Sequence, residues 1–125
     1  MKQLIAAACL TVVGAGMALA EPVTGTWQTE TGDSGGYLHV AIAPCGSNIC
    51  GTIKKVFNSD DKSSEGKPII WDMKAKGNGS YSGGKIWAPD VDKTYRSKMS
   101  LNGNSLKVSG CVGPICRGQT WKRVN

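Results

Sequence analysis

Two Cys-x4-Cys pairs, Cys45 with Cys50 and Cys111 with Cys116, carry the most definite chemistry in this 125-residue chain. Cys9 falls within the leader-like residues 1–20, so an exported protein keeps these four, and an even set in that setting points to disulfides. Local pairing closes two short loops worth about 2 kcal/mol apiece in the chain-entropy model, and crossed pairing closes loops worth about 4 kcal/mol. Entropy therefore favours the crossed arrangement. Geometry favours the local one, because each pair flanks a Pro/Gly or Gly/Asn turn able to bring its own Cα atoms within the roughly 4.4–6.8 Å that a disulfide requires. Local pairing is the expectation and crossed pairing its alternative. Four cysteines also make a compatible zinc set, but export favours oxidation, so no metal is expected. Neither pair is Cys-x-x-Cys, and only the second has a cationic neighbour, Arg117, so a redox role finds little support.

The second constellation is aromatic. Period-two alternation places Trp27, Trp71, Met73, Tyr95, Met99 and Trp121 on the inward faces of their strands, and Arg117 and Gln119 on the same face as Trp121. An apolar interior with a few polar groups suits a small hydrophobic or amphipathic molecule. The same side chains also serve as ordinary core filling. Arg117 tips the reading toward a ligand: an inward arginine without an acidic partner on a neighbouring strand is costly unless it meets water, an anion or an aromatic face. The alternative is a disulfide-stapled protein-interaction module, an enzyme inhibitor or envelope partner, presenting pinned loops such as Gly46-Ser47-Asn48-Ile49.

Catalysis is not expected. His39 is the one histidine and lies on the face opposite Leu38, Val40 and Ile42. No nucleophile elbow, zincin helix or phosphate-binding loop occurs, and nothing calls for a cofactor. Asp60, Asp61 and Glu65 share one polar loop without calcium-loop spacing.

The elements that must position these residues are short strands. Val23–Glu30, Tyr37–Ala43, Thr52–Phe57, Pro68–Lys76, Tyr81–Trp87, Lys93–Leu101, a short strand with Leu106 and Val108, and the final run after Cys116 are separated by glycine, proline and asparagine turns. In the Pro68–Lys76 strand, alternation sets Ile69, Trp71, Met73 and Ala75 on one face. Asn102-Gly103 is the preferred dipeptide of a two-residue hairpin, and Gly83-Gly84 predicts a bulge or close approach. About eight antiparallel strands with no helical periodicity imply an all-β, up-and-down barrel, with a β-sandwich as the second choice. Closure requires the first strand, at Trp27, to meet the last, at Trp121.

Residues 1–20 read as a signal peptide: Lys2, an apolar run from Leu4 to Val13, and Ala18-Leu19-Ala20 before the cut. Removing those 20 of 125 residues leaves 105, enough for one domain over residues 21–125, and the loss of one lysine lowers the formal charge from +6 to +5. The lysines are scattered from Lys54 to Lys122 without a dense run, so no nucleic-acid partner is expected. The mature chain is expected to be soluble, without a transmembrane segment, and periplasmic or secreted.

Gly25-Thr26-Trp27, Pro44-Cys45-Gly46 with Cys50-Gly51, Ser82-Gly83-Gly84-Lys85-Ile86, Lys93-Thr94-Tyr95 and Gly110-Cys111-Val112-Gly113 through Cys116-Arg117, Gln119 and Trp121 follow one another along the whole mature chain. That series resembles a family of small secreted bacterial proteins classed as a domain of unknown function. The resemblance implies a lipocalin-like barrel and no agreed activity. Gly-x-Trp on the first strand also looks like the lipocalin signature, in which an arginine of the last strand packs on the tryptophan; Arg123 or Arg117 would fill that role. Typical lipocalins are longer and carry a C-terminal helix that this chain has no room for, which implies a smaller cup and a smaller ligand.

Overall fold

The computed structural model describes residues 21–125; the expected signal peptide lies outside them. Eight strands follow in order: β1 Gly25–Gln28, β2 Tyr37–Cys45, β3 Asn48–Phe57, β4 Pro68–Gly77, β5 Ser80–Ala88, β6 Lys93–Asn102, β7 Ser105–Val112 and β8 Ile115–Arg123. Each pairs antiparallel with the next, and β1 closes onto β8. The seam is short, with Trp27 opposite Arg123 and Gln28 opposite Lys122. It is lengthened by Thr26 N–H donating to Asn125 O (3.0 Å) and Val124 N–H donating to Thr26 O (2.8 Å). The barrel, not the sandwich, is the architecture.

In an up-and-down order the turns β2–β3, β4–β5 and β6–β7 and the chain's C-terminus share one end, called the base here. The connections β1–β2, β3–β4, β5–β6 and β7–β8 share the other, the mouth. Val23, fully buried, plugs the base beneath Trp27, whose indole N–H donates to Val23 O (2.9 Å). Tyr81 O–H donates to Glu21 Oε1 (2.9 Å), fixing the same N-terminal segment.

Both disulfides are local, Cys45–Cys50 and Cys111–Cys116. The register explains it. Cys111 stands directly opposite Cys116, and Cys45 lies diagonal to Cys50 on one face of the β2–β3 hairpin.

Three local expectations meet the backbone differently. The Gly83-Gly84 irregularity is present, with a register shift between Tyr81 and Gly84 and Gly83 at φ 78°. The hairpin at Asn102-Gly103 is displaced by one residue: Asn102 pairs with Ser105, so Gly103 and Asn104 form the turn. Gly103 has φ 62°, and glycine at the first central position suits a type II′ turn. The displacement is favoured by packing, because it sets Leu101 opposite Leu106 and Met99 opposite Val108.

Strand β4 corrects the alternation. Ile69, Ile70 and Met73 are buried, whereas Trp71 stands opposite the exposed Lys85 and is not part of the core cluster. Ile70 pairs with Ile86 toward the interior, and Asp72, at φ 58°, resets the period so that Met73 also points in. Aspartate is one of the few residues that tolerate that conformation. The inward placement expected for Trp71 therefore fails.

The loop between β3 and β4 is polar and mostly exposed, as its composition requires, yet it is tied to β3. Val56 N–H donates to Glu65 Oε2 (2.9 Å), Gly66 N–H to Ile53 O (2.7 Å), and Lys62 Nζ to Val56 O (2.7 Å).

Candidate ligand cup

The inner wall is read most directly from the pairs across β7 and β8, since opposed residues share a face. From base to mouth these are Leu106 with Trp121, Val108 with Gln119, and Gly110 with Arg117. Leu106, Val108 and Trp121 are buried at 0%, 2% and 2% exposure. Gln119 and Arg117 face the same way and are exposed. The wall passes within four residues from packed to open.

That transition divides the residues expected to line an interior. Trp27, Met73, Met99 and Trp121 are at most 3% exposed and belong to the core cluster, so they fill the lower barrel. Tyr95, half-buried, lies opposite Ile86 nearer the mouth. Tyr95 and Ile86 lie against Gly110: a Cβ there would be in ordinary contact, 3.4 Å from Tyr95 Cβ and 3.5 Å from Ile86 Cγ2. Tyr95, Arg117 and Gln119 thus share the inward face on neighbouring strands toward the mouth, and Trp71 lies outside. Gln119 is oriented by its neighbour, since its Oε1 accepts the Trp121 indole N–H (2.8 Å). Leu38, which pairs with Val56, and Ile86 are apolar neighbours of the core on the same inward face. Alternation alone could have found these two, but not their height along the barrel.

Arg123 takes the place that the Gly-x-Trp resemblance reserves for an arginine. Its guanidinium carbon lies 4.4 Å from the centroid of the Trp27 ring. Nη1 donates to Thr24 O (2.9 Å), Nη2 to Pro22 O (2.8 Å) and Nε to Asn104 Oδ1 (3.0 Å). It closes the base, which leaves Arg117 unused there.

Other groups have quieter roles. His39 lies on the outer face, half-buried, within 3.0 Å of Gln28 Oε1 and packed at a tilt on Phe57. Asp61 is held below its ordinary pKa chiefly by hydrogen bonds from the Ser63 side chain and amide, and is engaged within its own loop. Among the described residues no group of His, Cys, Asp and Glu is placed to hold a metal ion. Alternation does not place Tyr81, because the Gly83-Gly84 bulge interrupts its strand's period. Burial, with the hydrogen bond to Glu21 and that carboxylate's charge, pushes its pKa up to about 12.

Residues 25–123 match the family described as an uncharacterized protein conserved in bacteria (DUF2147). The chain belongs to the DUF2147 family. The DUF2147 match begins at Gly25 and ends at Arg123, so it runs from one side of the barrel seam round to the other. No curated protein matches the chain. Among solved structures it is similar to protein HP1028 from the human pathogen Helicobacter pylori, described as belonging to the lipocalin family. The two share 18% sequence identity and a TM-score of 0.65 over 82% of this chain and 83% of that one. At that identity the likeness is one of fold, and it gives this DUF2147 member a lipocalin-like barrel.

Proposed function

We propose that the protein is an exported, non-enzymatic binding protein that seats one small hydrophobic or amphipathic molecule at the barrel mouth. The observation that carries this reading is Arg117, an exposed cation in inward register whose cross-strand neighbour, Gly110, offers no side chain. A guanidinium so placed is matched by a carboxylate or similar anionic head group, which it can hold through two parallel hydrogen bonds. Gln119 adds a polar contact, and Tyr95, Ile86 and Leu38 supply an apolar wall for the rest of the molecule. Because Trp27, Met73, Met99 and Trp121 occupy the lower barrel, the guest is short or lies across the opening. Export rests on the signal-like residues 1–20 and on two disulfides, which persist in oxidising compartments. The periplasm or the secreted fraction is the corresponding location.

The test combines native mass spectrometry of protein purified without detergent with titration of a fluorescent fatty acid, cis-parinaric acid. Saturable binding is expected. Arg117→Ala should weaken it by about tenfold, the worth of one charge-assisted hydrogen bond. Gly110→Leu, whose side chain would enter the mouth, should abolish it. Failure of every acyl or aromatic probe to saturate, or wild-type binding by both variants, refutes the cup.

The interaction-module reading draws on another observation. The tip of the β7–β8 hairpin exposes Val112 at 66% and Ile115 at 62%. The Cys45–Cys50 loop is a poorer candidate, since Ile49 turns into the core and leaves Gly46 and Ser47 at the tip. Capture of one protein partner that is lost in Val112→Ser/Ile115→Ser, alongside failure of every probe titration, would favour that module.

A further inference from the structure

A concavity lies on the outer wall of the barrel. It is a cleft of about 330 Å³ between the Gly83 bulge of β5, the adjoining stretch of β6 and the Cys111–Cys116 hairpin tip. That volume is at the lower end of the roughly 300–1,000 Å³ occupied by small-molecule sites. Its charge is of one sign: Lys85, Arg96 and Lys98 line it and no carboxylate does. Lys85 stands directly opposite Arg96, a like-charge pair that weakens a sheet. Arg96 is anchored by Nη2 donating to Gly113 O, which leaves the other N–H groups of its guanidinium for a further acceptor. Lys74 lies just outside the lining, its Nζ donating to Asp72 O (3.2 Å) beside the Gly83 bulge. Trp71, displaced from the interior by the turn of β4 at Asp72, flanks the row beside Lys85.

We propose that this cleft binds a phosphate group through Lys85, Arg96 and Lys98, with the Trp71 indole available to a ring that carries it. Two cations held opposite each other without an acid are relieved most by one group that brings close to two negative charges and three acceptor oxygens. A phosphate monoester does so near neutral pH and a carboxylate does not. The site is separate from the mouth: Lys85 and Arg96 face outward, and Arg117 faces inward.

The test is an NMR titration of the full mature chain, labelled with nitrogen-15, at constant ionic strength. The probes are inorganic phosphate and glucose 6-phosphate, with glucose as control. Saturable shifts are expected at the Gly83, Gly84 and Gly113 amides. Affinity should fall by at least about tenfold in the Lys85→Gln/Lys98→Gln double variant, and remain unchanged in Arg117→Ala. Both lysines are exposed, so the double variant is expected to keep its fold, which its amide spectrum will show. Equal affinity for the two phosphates means the cleft reads the free ion. Tighter binding of the sugar phosphate, with movement of the Trp71 indole N–H, means it reads a carried phosphate. Shifts that do not saturate, that spread over Lys54, Lys107 and Lys122, that glucose reproduces, or that persist in the double variant overturn the proposal. Any of these would leave the cup at the mouth untouched.

Discussion

Replacing Arg123 tests whether the barrel is latched where its ends meet. One guanidinium stacks on Trp27 and donates to Thr24, Pro22 and Asn104, so it ties the N-terminal segment, the β6–β7 turn and β8 together. A half-exposed cation–π contact is worth about 1 kcal/mol. Hydrogen bonds from a charged donor contribute about 1.5–3 kcal/mol when well buried and less here, and three bonds from one side chain are not additive. Arg123→Ala should therefore cost about 3 kcal/mol, or a fall in Tm of about 12–24 °C for a domain of this size. Arg123→Lys keeps a cation near the indole but loses the planar fork, and should cost about 2 kcal/mol. The assay is urea unfolding of the oxidised protein followed by tryptophan fluorescence, with Arg117→Ala as the control expected within about 0.5 kcal/mol of wild type. An Arg123→Ala protein as stable as the Arg117→Ala control would refute the latch.

Gly84→Ala should destabilise by about 2 kcal/mol or more, because its Cβ would meet Trp71 O at 2.7 Å and the Met73 backbone at 2.9 Å. Gly110→Ala, with contacts of 3.4 Å and longer, should stay within about 0.5 kcal/mol of wild type by the same unfolding assay. Reduction of both disulfides should cost up to about 4 kcal/mol in total, and the unreduced mass should be two hydrogens lower per bridge than that of the reduced chain. Tyr81 titrates at about 12 in the folded barrel against 10.0 ordinarily, so the folded state holds its proton more tightly than the unfolded chain does. The linked stability is intact below pH 10 and declines as pH rises toward 12. Tyr81→Phe should flatten that decline, and an unchanged alkaline profile would count against the buried hydroxyl.

Much of the fold was legible because turns and cysteines speak locally. Gly77-Asn78-Gly79 turns the chain as expected, with Asn78 and Gly79 both at positive φ, and each Cys-x4-Cys pair spans its own hairpin. The errors have a common origin. Alternation assumes an unbroken period, and Asp72 breaks it, moving Trp71 to the outer wall. A preferred turn dipeptide gives the neighbourhood of a hairpin, but the centre at Gly103 and Asn104 is decided by the pairing of Leu101 with Leu106. The candidate site was half legible for a related reason. Period-two reading assigns a face and says nothing of height, so Arg117 and Trp121 look alike although one is exposed and the other buried. Height comes from the cross-strand partner, and Gly110 opposite Arg117 is visible only once the register is known.

Height also separates what holds the barrel from what the proposed cup would present to a guest. On the inner wall the base carries Trp27, Trp121, Leu106 and Met99, and the mouth carries Gly110, Arg117 and Gln119. Arg117 and Arg123 share a strand and a face but are six residues apart, about 20 Å of extended chain. At that distance, with no shared hydrogen-bond partner, their contributions to stability should be independent. Arg117→Ala combined with Arg123→Lys should therefore unfold with a free-energy loss equal to the sum of the single losses, within about 0.5 kcal/mol. The ligand affinity of Arg123→Lys should match wild type wherever the protein is folded. A larger coupling, or a binding defect in folded Arg123→Lys, would mean that the two ends act as one unit and that the mouth depends on the latch for its shape.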